Sequence, residues 1–247
     1  MRGERMADTG ASALLATWEA GLAEAPAGRA LLLHGTARPD LDATALPAVP
    51  LGEREGDLLA LRRALFGERM QVRLDCRACG ADMEFDLDAG EFARSLGRPA
   101  RQVVRLTEDG WDVAFRLPAA ADLTAAARAA DPRTALLARC LVSAAHDGAP
   151  RTAGFLPPPL QRRIAEAVEA ADPGADITLN VGCPECGTTT RAELDIASYL
   201  WTELDSWARD TLLDVHLLAT AYGWSEPEIL ALSPLRRRYY LELCADV

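Results

Sequence analysis

Four cysteines in this chain are spaced to bind a soft cation. Cys76 and Cys79 form one Cys-x-x-Cys pair and Cys183 and Cys186 a second, each followed directly by a glycine, Gly80 and Gly187. Thiolates at that spacing can turn toward a single ion, and zinc in structural sites takes four such ligands in a tetrahedron. The glycine suits the tight turn of a knuckle, in which backbone amides can point at sulfur. The expected cofactor is therefore one structural Zn2+ per chain, held by Cys76, Cys79, Cys183 and Cys186. Four thiolates fill the coordination shell, whereas a catalytic zinc normally keeps one position open. The site is thus expected to staple the chain and not to catalyse. Three other chemistries use the same residues: a redox dithiol, two local disulfides, and an iron or metal-free version of the same cluster. A thioredoxin-like motif sits where a strand meets a helix, and structural disulfides are rare where thiols stay reduced.

The elements that must position these sulfurs are visible as period-two segments. Met70, Val72 and Leu74 alternate with polar residues before the first knuckle, and Met83, Phe85 and Leu87 alternate after it. Ile177, Leu179 and Val181, then Ala192, Leu194 and Ile196, do the same around the second. Residues 70–88 and 177–195 are thus two copies of one hairpin unit. Another hairpin is expected from Val103–Leu106 and Trp111–Leu117, turning at Asp109-Gly110.

Helical spacing marks most of the rest. Leu14, Leu15, Trp18 and Leu22 predict a helix before Pro26, with a short one over Arg29–Leu33 after it. A loop is expected over 38–52, then a helix over Leu58–Phe66 closed by Gly67. Residues 122–171 are alanine-rich and expected to be helical, with Asp131-Pro132 as a cap and first-turn proline. Pro157-Pro158-Pro159 breaks that stretch before a helix over Leu160–Ala171, which Asp172-Pro173-Gly174 ends. Ile196, Leu200, Leu204, Trp207, Leu212, Val215 and Ala219 predict a long amphipathic helix. Ser225 and Glu228 fit a capping box, and Ser233-Pro234 opens a last helix carrying Leu235, Tyr239 and Leu243. The expected fold is α+β: zinc-ribbon-like β hairpins joined around a four-cysteine site, with a helical insertion at 120–172 and helical N- and C-terminal extensions. The segments are 1–67, 68–195 and 196–247, in one continuous domain.

The formal charge is −11, and all 26 basic residues are arginine. An acidic chain is a poor non-specific binder of nucleic acid, where affinity comes from neutralising phosphates. A zinc-ribbon adaptor for nucleic acid or a transcription-type partner is the alternative function, and it requires a basic face around the knuckles. No uninterrupted apolar run is long enough to cross a membrane. Met1–Gly10 is polar and lacks the pattern of a secretory leader, with Met6 as an alternative start, so a cytoplasmic location is expected. Nucleophile elbows, phosphate loops, His-Glu-x-x-His and dinucleotide fingerprints are absent, which points away from an enzyme and from a small-molecule substrate. His34, His146 and His216 are scattered, and Cys140 and Cys244 fall among apolar neighbours as packing residues. Trp201, Trp207, Tyr222 and Trp224, with Arg236, Arg237 and Tyr240, gather in the C-terminal helices. They are either helix packing with a solvated basic face or a partner-binding surface, since aromatic residues and arginine are enriched at interfaces.

Several segments together resemble a known family. They are LLATWEAGL (14–22), LGEREGDLLALRRALFG (51–67), the two cysteine knuckles and VHLLATAYGWSEPEILALSPLRRRYY (215–240). In order and content they resemble T4-type phage baseplate proteins. The closer resemblance is to the zinc-knuckle members encoded with phage-like contractile injection systems, often labelled baseplate hub assembly chaperones. It implies a non-enzymatic component or assembly factor whose partners are hub, spike or wedge proteins, working in the cytoplasm or incorporated in the particle. Composition and spacing alone imply a metal-stapled protein with candidate docking helices.

Overall fold

The computed structural model describes residues 10–97, 99 and 101–245. The expectation for the first nine residues lies outside them. In chain order the elements are α1 (Ala11–Leu22), α2 (Pro26–Ala37), α3 (Leu51–Phe66), β1 (Arg69–Asp75), β2 (Asp82–Asp88), α4 (Ala89–Leu96), β3 (Val103–Glu108), β4 (Trp111–Arg116), α5 (Ala120–Ala127) and α6 (Pro132–Cys140). They continue with β5 (Leu141–His146), β6 (Ala149–Pro150), α7 (Pro158–Ala171), β7 (Thr178–Gly182), β8 (Thr189–Glu193), α8 (Ile196–Tyr222), α9 (Glu226–Leu230) and α10 (Pro234–Ala245). The class is mixed helix and antiparallel sheet, as expected.

The chain divides into two compact units, one made from its two ends and the other from residues 40–196. In the unit made from the ends, α1 buries Leu14, Leu15 and Trp18 on one face. The Trp18 indole N–H donates to Asp205 Oδ1 on α8 at 2.8 Å. Pro26 proves to be the first residue of α2, where its missing N–H costs nothing, so that helix is longer than the expected Arg29–Leu33. Ile229 on α9 and Leu200, Leu204 and Leu218 on α8 are fully buried. The capping box forms: the Ser225 amide donates to the Glu228 carboxylate at 2.8 Å.

The unit spanning 40–196 holds three separate antiparallel sheets: β1-β2, β3-β4-β5-β6 and β7-β8. In the first, Met70 faces Leu87, Val72 faces Phe85 and Leu74 faces Met83, so one face is apolar throughout. The four-stranded sheet corrects the helical reading of 122–171. Leu141–His146 and Ala149–Pro150 are strands, and β5 pairs with β4 through Trp111↔His146 and Val113↔Ala144. The turn between β5 and β6 is Asp147-Gly148, both at positive φ, which is the hairpin chemistry seen again at Asp109-Gly110. α6, with Asp131 accepting from the Thr134 amide, and α7 pack on this sheet. Val113, Phe115, Cys140, Leu156, Leu160 and Ile164 form the core there.

One buried carboxylate fixes the junction of sheet and helices. Asp122, 1% exposed, accepts from Arg116 at 2.7 Å, from Arg139 at 3.0 Å and from the Ala119 amide at 3.0 Å. The Arg116 guanidinium, more than any other group, holds its carboxyl down at about 2. A carboxyl whose folded pKa is depressed contributes stability above its unfolded pKa, and loses it as pH falls through the folded value. We expect Asp122→Asn to cost roughly 2 kcal/mol at neutral pH. In urea melts the gap between variant and wild type should narrow as pH falls from about 4 to about 2. A gap independent of pH would contradict this assignment.

Candidate metal centre

The two knuckles are built alike down to their backbone hydrogen bonds. The Cys76 amide donates to Ala81 O at 2.8 Å and the Gly80 amide returns to Cys76 O at 2.8 Å. The Cys183 amide donates to Thr188 O at 3.0 Å and the Gly187 amide returns to Cys183 O at 2.9 Å. Gly80 and Gly187 close these turns at φ +74° and +71°, a conformation that a side chain would strain. Strands enter and leave each turn in register, with Asp75↔Asp82 at the base of one and Gly182↔Thr189 at the base of the other. The hairpins share no strand pairing, because β1-β2 and β7-β8 are separate sheets. They meet through their tips, where Cys76, Met83 and Cys183 are buried with Leu74, Ala81 and Val181 packed against them.

At that meeting point the four Sγ atoms lie within 4.8 Å of one another. Cys76 Sγ is 3.7 Å from Cys186 Sγ, and Cys79 Sγ is 3.7 Å from Cys183 Sγ, so the short distances cross between knuckles. A tetrahedron of sulfurs about a zinc ion, with bonds of about 2.3 Å, has edges of about 3.8 Å. The spacing therefore fits one ion with four thiolate ligands. All six cysteines are free thiols, and the four at the centre alternate buried and exposed along the sequence. The two local disulfides that the spacing also allows are not formed.

Local electrostatics favour a cation at this point. The amides of Cys79 and Ala78 hold the Cys76 thiol down at about 6. The Thr188 hydroxyl and amide lower Cys186. The Ala81 amide also draws Cys79 down, but the sulfurs of Cys186 and Cys76 outweigh it and push that thiol up to about 12. Negative charge on neighbouring sulfurs is mutually repulsive at these distances, so all four ionise together only with a positive partner among them.

The residues expected to bind partners are distributed differently. Trp201 is buried: the Arg29 guanidinium stacks over its ring at 4.7 Å, and Gly21 lies so close that a Cβ there would sit 2.3 Å from it. Arg237 is also buried and pairs with Asp214 at 3.1 Å. Those two side chains pack their own unit. Trp207 is half-buried. Tyr222, Trp224 and Tyr240 form one cluster, with centroids 4.6 Å apart for the stacked Tyr222–Trp224 pair and 4.9 Å for Trp224–Tyr240. The Tyr222 hydroxyl donates to the Tyr240 carbonyl at 3.5 Å, and the neighbouring half-buried Cys244 raises its pKa. Arg236 is exposed, beside an apolar stripe of Leu235, Tyr239 and Leu243 that also faces outward. The stripe is spaced i, i+4, i+8, a signal legible in the sequence, though its exposure is not. Cys140 is buried as expected, and burial pushes its thiol up to about 11, which keeps it unreactive.

Around the knuckles, arginines and acids interleave. Arg69 pairs with Asp86 at 2.8 Å and Arg73 with Glu84 at 3.1 Å, both across β1-β2. Among the described residues no helix is long and apolar enough to cross a membrane. No curated protein and no solved structure matches the chain. A family profile described as T4 bacteriophage base plate protein does match, over residues 37–151. That span contains α3, the first knuckle and the whole four-stranded sheet, and stops before α7 and the second knuckle. Over residues 37–151 this chain is therefore similar to the T4-type phage baseplate protein family.

Proposed function

We propose that this protein is a non-enzymatic component or assembly chaperone of the baseplate hub in a contractile, phage-tail-like particle. We further propose that one structural zinc ion on Cys76, Cys79, Cys183 and Cys186 holds its middle together. The similarity of residues 37–151 to the T4 bacteriophage base plate protein profile carries the baseplate role. The clustering of four sulfurs within 4.8 Å supports the metal. Zinc is favoured over harder cations because thiolates are soft ligands, and its tetrahedral edge matches the sulfur spacing. Hub, spike or wedge proteins are the partners this reading calls for. The adaptor alternative would need a basic face at the knuckles, and Arg69 and Arg73 of the first hairpin are instead paired with Asp86 and Glu84.

The role is tested by clean deletion of the gene in the producing strain, with electron microscopy of the particles. The expected outcome is loss of complete baseplates, restored by the wild-type gene in trans. Normal particles from the deletion would overturn the baseplate role and leave the metal site to be judged separately.

A further inference from the structure

The unit spanning residues 40–196 contains a cleft apart from the knuckles, open along one side of the sheet core. It has a volume of about 410 Å³ and opens between α6, α7 and the turn that follows α7. Phe115, Leu136, Leu137 and Val168 supply apolar walls. Leu136, Leu137 and Val168 are half-buried, although each belongs by type in a core. The volume falls in the range of sites that receive a ligand, with room for more than one aliphatic side chain.

The charged residues of the cleft all have one sign. Glu169, Asp172 and Asp176 line it, and no arginine joins them among the described residues. Glu169 and Asp176 lie toward the rim, while Asp172 sits deep. Asp172 is 2% exposed, with Oδ2 accepting from the Gly52 amide at 3.0 Å while its buried Oδ1 has no hydrogen-bond partner. A buried carboxylate oxygen without a donor is costly, and burial correspondingly raises the Asp172 pKa. Apolar walls under two rim acids complement a segment that joins aliphatic side chains to cations.

We infer that this cleft docks a partner polypeptide through one or two aliphatic side chains followed by arginine or lysine. That the occupant is a protein rests on the assembly role proposed above. The aliphatic groups bury against Leu136, Leu137 and Val168, and the cation is held by the exposed Glu169 and Asp176. Like-charge exclusion would discriminate against acidic segments, which are abundant in a chain of this net charge, so the cleft does not take a second copy of its own acidic surface.

The test uses the full chain and two fluorescein-labelled octapeptides, one with Leu-Leu-Arg-Arg at its centre and one with Leu-Leu-Glu-Glu. Fluorescence anisotropy should show the arginine peptide binding at least about tenfold more tightly, with affinity falling as salt rises. The double variant Glu169→Arg/Asp176→Arg, which leaves the buried Asp172 untouched, should erase that preference. Val168→Trp, which fills the cleft, should weaken the arginine peptide. Circular dichroism confirms that each variant is folded. Equal affinity for both peptides, no binding of either at millimolar concentration, or binding unchanged by the double charge reversal would overturn the inference. The readout needs no particle, so it is decided independently of the gene deletion.

Discussion

Cys183→Ser should release the metal and destabilise the unit of residues 40–196 by at least ~4 kcal/mol, lowering its melting temperature by roughly 10 °C or more. The residue is buried at the meeting of the two hairpin tips, and a serine hydroxyl there is a poor ligand for a soft-site cation. Among the described residues no strand pairing joins those hairpins, and their shared apolar contact is limited to a few side chains. A metal joining Cys79 to Cys183 closes a loop spanning 104 positions of sequence. Removing it returns that loop's closure entropy to the unfolded chain and leaves three thiolates repelling one another. Cys140→Ser separates metal loss from simple damage to a core. Cys140 is equally buried but lies in the sheet core, so that change should lower stability without altering metal content. Equal metal content in Cys183→Ser and wild type would show that the ligand set is wrong.

Gly52→Ala should cost at least ~3 kcal/mol, although alanine ordinarily stabilises a helix over glycine by about 1 kcal/mol. Pro50 stands at the N-cap of α3 and has no side-chain acceptor, so the helix start is capped from a distance: the Gly52 amide donates to Asp172 Oδ2 at 3.0 Å. A carboxylate at a helix N-terminus also meets a favourable dipole. This close approach leaves no room for a side chain. A Cβ on residue 52 would lie 1.8 Å from Asp172 Oδ1, 2.7 Å from its Cγ and 3.1 Å from the Ala175 amide nitrogen. Either the cap breaks or the 172–176 turn moves away. A double-mutant cycle read by urea denaturation decides the cause. In an Asp172→Ala background the cost of Gly52→Ala should fall by more than half, because the clash and the cap are both already gone. An unchanged cost in that background would place the damage elsewhere.

That cap shows what the sequence does not reveal. Period-two alternation and the repeated Cys-x-x-Cys-Gly expose both hairpins and all four sulfurs of the candidate metal centre, because those signals are local and strong. Caps are legible for the same reason at Asp131 and at Ser225 with Glu228. The four-stranded sheet is half hidden: β5 contains adjacent alanines, which fit helix and buried strand alike, and the Asp147-Gly148 turn is the local sign of a hairpin there. The short helix α4 escapes a periodicity reading despite Asp88, whose side chain accepts from the Glu91 amide as its cap, because Ala89 and Gly90 carry no periodic signal. Asp172 and Gly52 meet across 120 residues, and no local pattern announces such a pair. The same limit explains the docking residues. Type and clustering single out Trp201 and Arg237, but helix rotation turns both inward and turns Leu235, Tyr239 and Leu243 outward.

The proposed zinc is the point on which the joining of the two hairpins turns. Elemental analysis combined with native mass spectrometry of the purified full chain, kept reduced and never exposed to chelator, tests it most directly. The expected result is one zinc ion per chain, lost together with the folded state of the hairpins when a strong chelator is added. A chain that is metal-free by mass yet fully folded, or one that carries iron in place of zinc, would contradict the account.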